Sequence, residues 1–485
     1  MTETSTGQLK TADSAVPPGA APLDQALPPT ADVAWWRLLN RYHWFVFVVS
    51  ALGWLFDCLD QQIFNLTRNP AMVELLHARP GDAIVKSHGG WVTSIFLVGW
   101  ASGGLIFGVL GDRIGRAKTM MLTILLYSLF TGLSAFSHGF WDFAAYRFLT
   151  GLGVGGEFAV GVALVAEVMP DRARAYALSS LQALSAVGNI TAALLTMLFG
   201  HLESAGSLGA WGSWRPLFLV GALPALLALL IRRRLKEPER WQAAAQGQVK
   251  RKLGSYAELF RDPRWRKHAI LGLLLASVGI IGLWGIGFFV AELTRAVLRA
   301  DFQARGLSGP VLEGKLTFWA GMSFLVLNVG AFFGMYVFGV LTQRFGRRPT
   351  FAAAFVLAGL STAMVFWFMN SLSDLFWMVP LMGFFQLSLF AGYAVYFPEL
   401  FPTYLRSTGT SFCYNVGRFV AATGPYLLTK LASGVFSGPQ YPEPLPWRYS
   451  GVTMCLVFAL GLVVLPFAPE TKGQPLPEEE RGIAH

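Results

Sequence analysis

The sequence predicts an all-α integral membrane protein with twelve transmembrane helices in two six-helix halves. Three observations predict it. Hydrophobic residues make up 54% of the 485 positions and charged ones only 14%, where soluble domains average about 25% charged. Twelve apolar stretches each come near the roughly 20 residues that cross a bilayer. Two motifs also recur half a chain apart. Glu167-Val-Met-Pro-Asp-Arg-Ala-Arg174 returns as Glu399-Leu-Phe-Pro-Thr-Tyr-Leu-Arg406, and Gly108-Val-Leu-Gly-Asp112-Arg113-Ile-Gly115-Arg116 returns as Gly339-Val-Leu-Thr-Gln343-Arg344-Phe-Gly346-Arg347. A duplicated membrane unit is the build of many transporters, with substrate held between the halves.

Spans 1–6 are expected near 44–66, 91–111, 119–137, 143–166, 176–199 and 214–231. Spans 7–12 are expected near 268–291, 318–341, 350–369, 375–397, 408–431 and 448–467. The loops after the even-numbered spans, at 112–118, 171–174, 232–267, 344–348 and 402–406, carry most of the Lys and Arg. The loops at 137–142, 200–213 and 370–374 contain no Lys or Arg at all. The positive-inside rule then places both termini in the cytoplasm. Two loops on the other side, 67–90 and 292–317, are longer and mixed in charge.

The chain divides into a disordered cytoplasmic N-terminal tail (1–40), a first half (41–231), a cytoplasmic linker (232–267), a second half (268–468) and a cytoplasmic C-terminal tail (469–485). The tail is rich in Pro, Ala, Thr and Gly and has no charged region leading into a short apolar run, so no cleavable signal is expected. The linker is polar, strongly basic and broken by Pro238 and Pro263, and surface helices are expected in it. The net charge of +10 lies in short loops and the linker. It reads as topology, and no nucleic-acid partner is expected. Cys58, Cys413 and Cys455 each lie in an apolar stretch and read as small hydrophobes, with no metal or cofactor framework. No G-x-x-x-x-G-K-[ST] loop is present and no nucleophile–base set stands out, so an enzyme is not expected.

The loop motifs suit a latch. Asp112, Arg113, Arg116, Glu167 and Arg174, with Arg344, Glu399 and Arg406 in the second half, are placed to form ion pairs that hold one face closed and break on opening. Gln343 replaces the acid of the first half, so that side of the latch should be weaker.

Ionisable residues inside a span cost a few kcal/mol, about 2.5–3.5 on the lenient scale, and are functional candidates by default. Five lie deep: Asp57, Asp60, Arg147, Glu157 and Arg418. Asp57 and Asp60 share a helix face. Two close carboxylates in low dielectric do not both ionise readily, which is the chemistry of a proton-coupling site. Arg147 is placed to pair with Asp60 when that acid is ionised and to release it on protonation; the alternative is a permanent buried ion pair. After Arg147, Gly151, Gly153, Gly155 and Gly156 let a neighbouring helix approach. A buried Arg418 needs an anionic partner, and a guanidinium grips carboxylate in a bidentate fork. That partner is either substrate or one of the acids of the first half. Gln61, Gln62, Asn65, Gln182, Trp284, Gln386, Tyr393 and Asn415 are candidates to line a mid-membrane cavity, each with a helix–helix contact as the alternative.

These motifs together resemble the major facilitator superfamily over about residues 40–475. Pro469-Glu470-Thr471-Lys472-Gly473 is similar to the ending of its sugar-porter and organic-ion branches, and Lys236-Glu237-Pro238-Glu239-Arg240-Trp241 resembles a degenerate P-E-S-P-R segment of the sugar porters. Asp60 and Arg147 match an Asp and Arg that proton-coupled sugar porters use together. Gly155-Gly156-Glu157-Phe158 resembles the G-G-E-[YF] of metabolite:proton symporters. Arg418 stands nine positions after Gly409, as an arginine does in anion-carrying organic-ion transporters. Gln182 matches a sugar-binding glutamine, but span 7 lacks the Q-Q-x-x-G-x-N stretch of sugar porters.

The resemblance implies a major facilitator fold acting as a monomer. It also implies a proton-coupled symporter of a small organic anion, a monocarboxylate or aromatic acid; the charge of +10 and the absence of a targeting signal are compatible with a bacterial inner membrane. Asp57, Asp60, Glu157 and Arg147 would couple protons; Arg418, Gln182, Gln61, Trp284, Gln386, Tyr393 and Asn415 would contact substrate. A proton-coupled sugar or polyol carrier is the alternative within transport, and a transport-like sensor the alternative outside it.

Overall fold

The structure of the protein is a computed structural model. It describes residues 34–477 except 80–81, 205, 209–210, 227, 229–233, 247–252 and 422. The tail expected over 1–40, the end of span 6, part of the basic linker and the end of the C-terminal tail thus lie largely or partly outside the described residues.

Among the described residues the fold is helical throughout, with no strand. Ten helices are long and apolar enough to cross a membrane, matching spans 1–5, 7–10 and 12. Span 6 starts as Trp214–Val220. Span 11 is Arg406–Ala421 followed by Thr423–Lys430. Its first helix, 16 residues long, is shorter than any of those ten and carries Arg406, Ser407, Thr408, Ser411, Asn415 and Arg418.

The two outer loops expected at 67–90 and 292–317 are mostly helix, which corrects that reading. The span-1 helix runs Arg41–Leu75 through Pro70, and span 2 begins at Ala83. After span 7 a helix Val290–Ala304 follows, and span 8 is Gly309–Phe345. A backbone ladder needs no apolar side chains, so helices continue past the hydrocarbon edge where composition alone signals an end. Span 7 is broken. Its α-helix Pro263–Ile280 passes into a π-helical turn, Ile281–Ile286, and a 3-10 turn, Gly287–Phe289. The linker carries the short helices Glu239–Gln246 and Tyr256–Arg261.

The duplication shows in the packing. Spans 2 and 4 cross so closely that a Cβ at Gly155 would stand 1.9 Å from the Trp100 carbonyl oxygen. Spans 8 and 10 repeat this, with a Cβ at Gly334 falling 1.9 Å from the Phe384 carbonyl oxygen. Lipid supplies no hydrophobic drive between helices, so small residues that admit backbone contact hold such crossings together.

Candidate functional site

The recurring motifs meet at the face that also carries the linker. Arg116, opening span 3, donates to Glu167 at 2.9 Å and lies 3.0 Å from Asp112. In the second half Arg347 donates to Glu399 at 2.7 and 3.0 Å. Arg174 and Arg406 donate from Nε to the carbonyls of Ala166 and Pro398, at 2.8 and 3.1 Å. Two glutamates cap the helices of spans 3 and 9. Glu237 accepts from the backbone N–H of Ala117 and Lys118, both at 3.1 Å. Glu470 accepts from Arg347 at 2.9 Å, Arg348 at 3.0 Å and Lys472 at 3.0 Å. Burial alone would push the Glu470 carboxyl up; the backbone N–H groups, with the Arg347 charge, outweigh it and hold the carboxyl below its ordinary value.

The symmetry breaks where the halves touch. Arg406 crosses to Glu167 at 2.7 Å, and Arg116 reaches the Thr403 carbonyl at 2.6 Å. Asp112 accepts from the backbone N–H of Ser407 (3.2 Å) and Thr408 (2.8 Å) and from the Thr408 hydroxyl (2.6 Å), at the start of span 11. In the mirror position Gln343, among the described residues, bonds only within its own half, to Arg347 at 3.3 Å. Arg174 pairs with Asp171 in its own half. Arg113 and Arg344, both expected in the latch, are exposed. Arg113 turns to the linker carbonyl of Leu253 at 3.3 Å. One residue's step turns a helical side chain by about 100°, so the neighbour of a network residue faces elsewhere. Of the second half's loop arginines, it is Arg347, not Arg344, that joins Arg406 inside the network.

A buried polar cluster fills the first half. Asp60 stands 3.6 Å from Arg147 and accepts the Thr131 hydroxyl at 2.8 Å. Arg147 also donates to Ser134 at 2.9 Å and Thr150 at 3.0 Å. Its guanidinium lies 4.6 Å from the Phe218 ring centre. Asp57 and Glu157 are each 1% exposed. None of their four carboxyl oxygens has a hydrogen-bond partner among the described residues. The charged groups facing Asp57 are Glu157, Asp60 and Arg418.

A small central cavity of about 70 Å³ lies between the halves. Arg418, Gln182, Gln61 and Trp284 line it together. The Arg418 guanidinium is held 4.1 Å from the Trp100 ring centre and 4.3 Å from that of Tyr414. Its Nη1 donates to Asn415 at 2.7 Å. Among the described residues no carboxylate oxygen lies within 4.0 Å of it. Asn415 is thus a support for Arg418 and does not line the cavity. Gln386 and Tyr393 do not line it either. Gln386 donates to the Gly282 carbonyl at 3.0 Å and the Thr362 hydroxyl at 3.2 Å, and Tyr393 donates to the Leu275 carbonyl at 2.6 Å. Both tie second-half helices together, where buried polar groups must be satisfied.

Trp54, Trp100, Tyr414, Asn189 and Asn328 also line the cavity and were not singled out from sequence. Asn189 donates to Asn328 across the halves at 2.9 Å. The signals were spacing: Tyr414 precedes Arg418 by one helical turn, and Trp54, Cys58 and Gln61 fall on one face of span 1.

A larger vestibule of about 670 Å³ opens on the face opposite the linker. Gln62, Trp284 and Phe324 line both it and the central cavity. Among the described residues, polar bonds between the halves occur from Asn189–Asn328 to the linker face, and none beyond. The molecule is closed at the linker face and open at the other.

The Major Facilitator Superfamily model matches residues 50–312 and 302–484. A putative metabolite transport protein of Haemophilus influenzae is 31% identical over 80% of this chain and 89% of its own length. A probable 4-methylmuconolactone transporter of Cupriavidus pinatubonensis is 30% identical over 93% and 96%. A cis,cis-muconate transport protein of Acinetobacter baylyi is 28% identical over 80% and 87%. Among solved structures, a proton:xylose symporter bound to 6-bromo-6-deoxy-D-glucose superposes with a TM-score of 0.70 over 90% of this chain and 98% of that one; at 18% identity this bears on the fold alone. With two halves of duplicated helices, paired loop motifs and a polar site between them, this chain belongs to the Major Facilitator Superfamily and is a multi-pass membrane transporter.

Proposed function

We propose that this protein is a proton-coupled symporter of a small organic carboxylate that works by alternating access. The observation that carries this reading is Arg418: a guanidinium in a mid-membrane cavity, stacked on two aromatic rings, with no carboxylate of the described residues within salt-bridge distance. Such a group awaits an anion. Trp100 and Tyr414 hold its plane, and Asn415 holds one of its nitrogens. Gln61, Gln182 and Trp284 supply polar and flat contacts to the rest of the substrate. Relatives named for muconate and methylmuconolactone support a flat, unsaturated acid.

The proton sites are Asp57 and Glu157, with Asp60 paired to Arg147. Asp57 precedes the cavity-lining Cys58 and faces Arg418, so proton and substrate sites meet on span 1. Once both are loaded, the halves rock. The Asp112–Thr408 and Glu167–Arg406 contacts part and the linker face opens. The Lys/Arg-rich loops on that face support cytoplasmic termini in a bacterial plasma membrane.

Uptake into proteoliposomes tests the reading. Benzoate, cis,cis-muconate and xylose are offered with and without an inward proton gradient. The gradient should stimulate uptake of an acid, and both Arg418→Ala and Asp57→Asn should abolish the stimulation. Xylose uptake that survives Arg418→Ala would make Arg418 structural and favour a sugar carrier.

A further inference from the structure

The central cavity, at about 70 Å³, has room for only a couple of waters at about 30 Å³ each. A ring-sized carboxylate does not fit beside Arg418 in this conformer. The vestibule, at about 670 Å³, falls inside the roughly 300–1,000 Å³ range of small-molecule pockets.

The vestibule is lined from both halves. Gln62, Asn65, Arg68 and Thr93 come from the first, and Trp284, Arg295 and Thr317 from the second. Among the described residues its two charged lining residues are arginines, one from each half, and no acid lines it. Arg68 donates from Nη1 to the Thr93 hydroxyl at 2.9 Å. Its Nε, like the Nε of Arg295, is buried and has no hydrogen-bond partner among the described residues. Neither arginine has an ion-pair partner among the described residues. The acid that faces Arg295, Glu313, is already paired to Arg299 at 2.7 Å. Two cations with idle donors thus face one cavity of ligand size.

We propose that the vestibule is an outer carboxylate site, formed by Arg68 and Arg295, which captures the anion before it reaches Arg418. The wall between the two sites is thin, since Gln62, Trp284 and Phe324 line both cavities. Trp284 lies on the π-helical turn of span 7, where the ladder is already irregular. Because the arginines come from opposite halves, an anion held by both draws the open face together. The nature of the anion rests on the organic-carboxylate reading above; the site itself rests on the two arginines.

The test is equilibrium binding of radiolabelled benzoate and cis,cis-muconate to purified full-length protein carrying Arg418→Ala, which disables the central site. Saturable, salt-sensitive binding is expected. Adding Arg68→Gln and Arg295→Gln should weaken it at least tenfold, and Lys at both positions should restore most of it. With Arg418 intact, Arg68→Gln should raise KM for uptake about 5- to 20-fold and leave the maximal rate within about twofold. Should the double Gln protein aggregate, the single variants give the same reading. Absence of saturable binding to the Arg418→Ala protein overturns the outer site, as does binding that ignores both Gln substitutions. Wild-type uptake judges the symport reading separately: uptake abolished by Arg418→Ala yet unaffected at Arg68 and Arg295 keeps symport and removes the outer site.

Discussion

Glu237 and Glu470 were visible in sequence only as parts of two family-like segments. The structure gives them one physical job, an anion at a helix N-terminus. Gly115 and Gly346 stand at φ 113° and 103°, a backbone region that favours glycine. A Cβ at Gly115 would lie 2.3 Å from a Glu237 carboxyl oxygen. Glu470→Ala should lower stability by about 1 kcal/mol, the usual worth of a cap, read as a lower melting temperature in detergent. The pH dependence follows from the carboxyl being held below its ordinary value. Its contribution is complete above the unfolded value of 4.5 and fades as pH falls through the lower folded value. The wild-type and Glu470→Ala melting curves should therefore converge only in that acid range; a constant gap down to the lowest pH would refute the cap. At Arg418, Lys keeps the charge but loses the fork and much of the ring stacking. Arg418→Lys should raise KM for the acid at least tenfold, whereas a purely electrostatic role would leave it nearly unchanged.

At the scale of elements, the hydrophobic stretches located the spans but not their true lengths. The helices of spans 1 and 8 overrun them into polar sequence, and span 7 breaks inside its apolar stretch. Glycine clustering in span 4 did announce close crossings, with span 2 at Gly151 and Gly155 and with span 3 at Gly153. Val in place of Gly155 puts side-chain atoms where the Trp100 carbonyl stands. Overpacking of this kind costs about 1–3 kcal/mol or more. Gly155→Val and, at the corresponding crossing of the second half, Gly334→Val on span 8 should each reduce yield and melting temperature, while Gly314→Val, with nothing within 4 Å of its Cβ, should be neutral in the same assay.

Across the whole molecule, the halves are alike in what they build internally and unlike in what they give each other. Each has an arginine–glutamate pair and a glutamate cap. Asp112 and Glu167 of the first half reach across to span 11, while Gln343 does not cross back. Bonds to charged groups are worth about 1.5–3 kcal/mol each, so Asp112→Asn should shift the balance towards opening at the linker face by about ten- to a hundredfold. Spin labels on the two halves at that face should report a longer distance population in the variant. Gln343→Ala, which removes no cross-half bond, should leave the distances unchanged, and equal responses from both would contradict the asymmetry.

Composition, spacing and repetition by themselves determined that this is a duplicated helical membrane protein and which deep charges deserved notice. Those features follow from bilayer thickness and the cost of burying charge, which act on any sequence locally. Only the tertiary structure decided which polar residues share a space. Arg418, Gln61, Gln182 and Trp284 meet at one cavity, whereas Gln386 and Tyr393, equally polar and equally central in their spans, turn to neighbouring backbone carbonyls. The difference is the rotation of each helix about its axis. That rotation is set by packing against helices far away in sequence, so the residue type alone does not carry it. The vestibule with Arg68 and Arg295 was hidden for the same reason: its two cations lie in stretches that read as loops, and only folding sets them around one space.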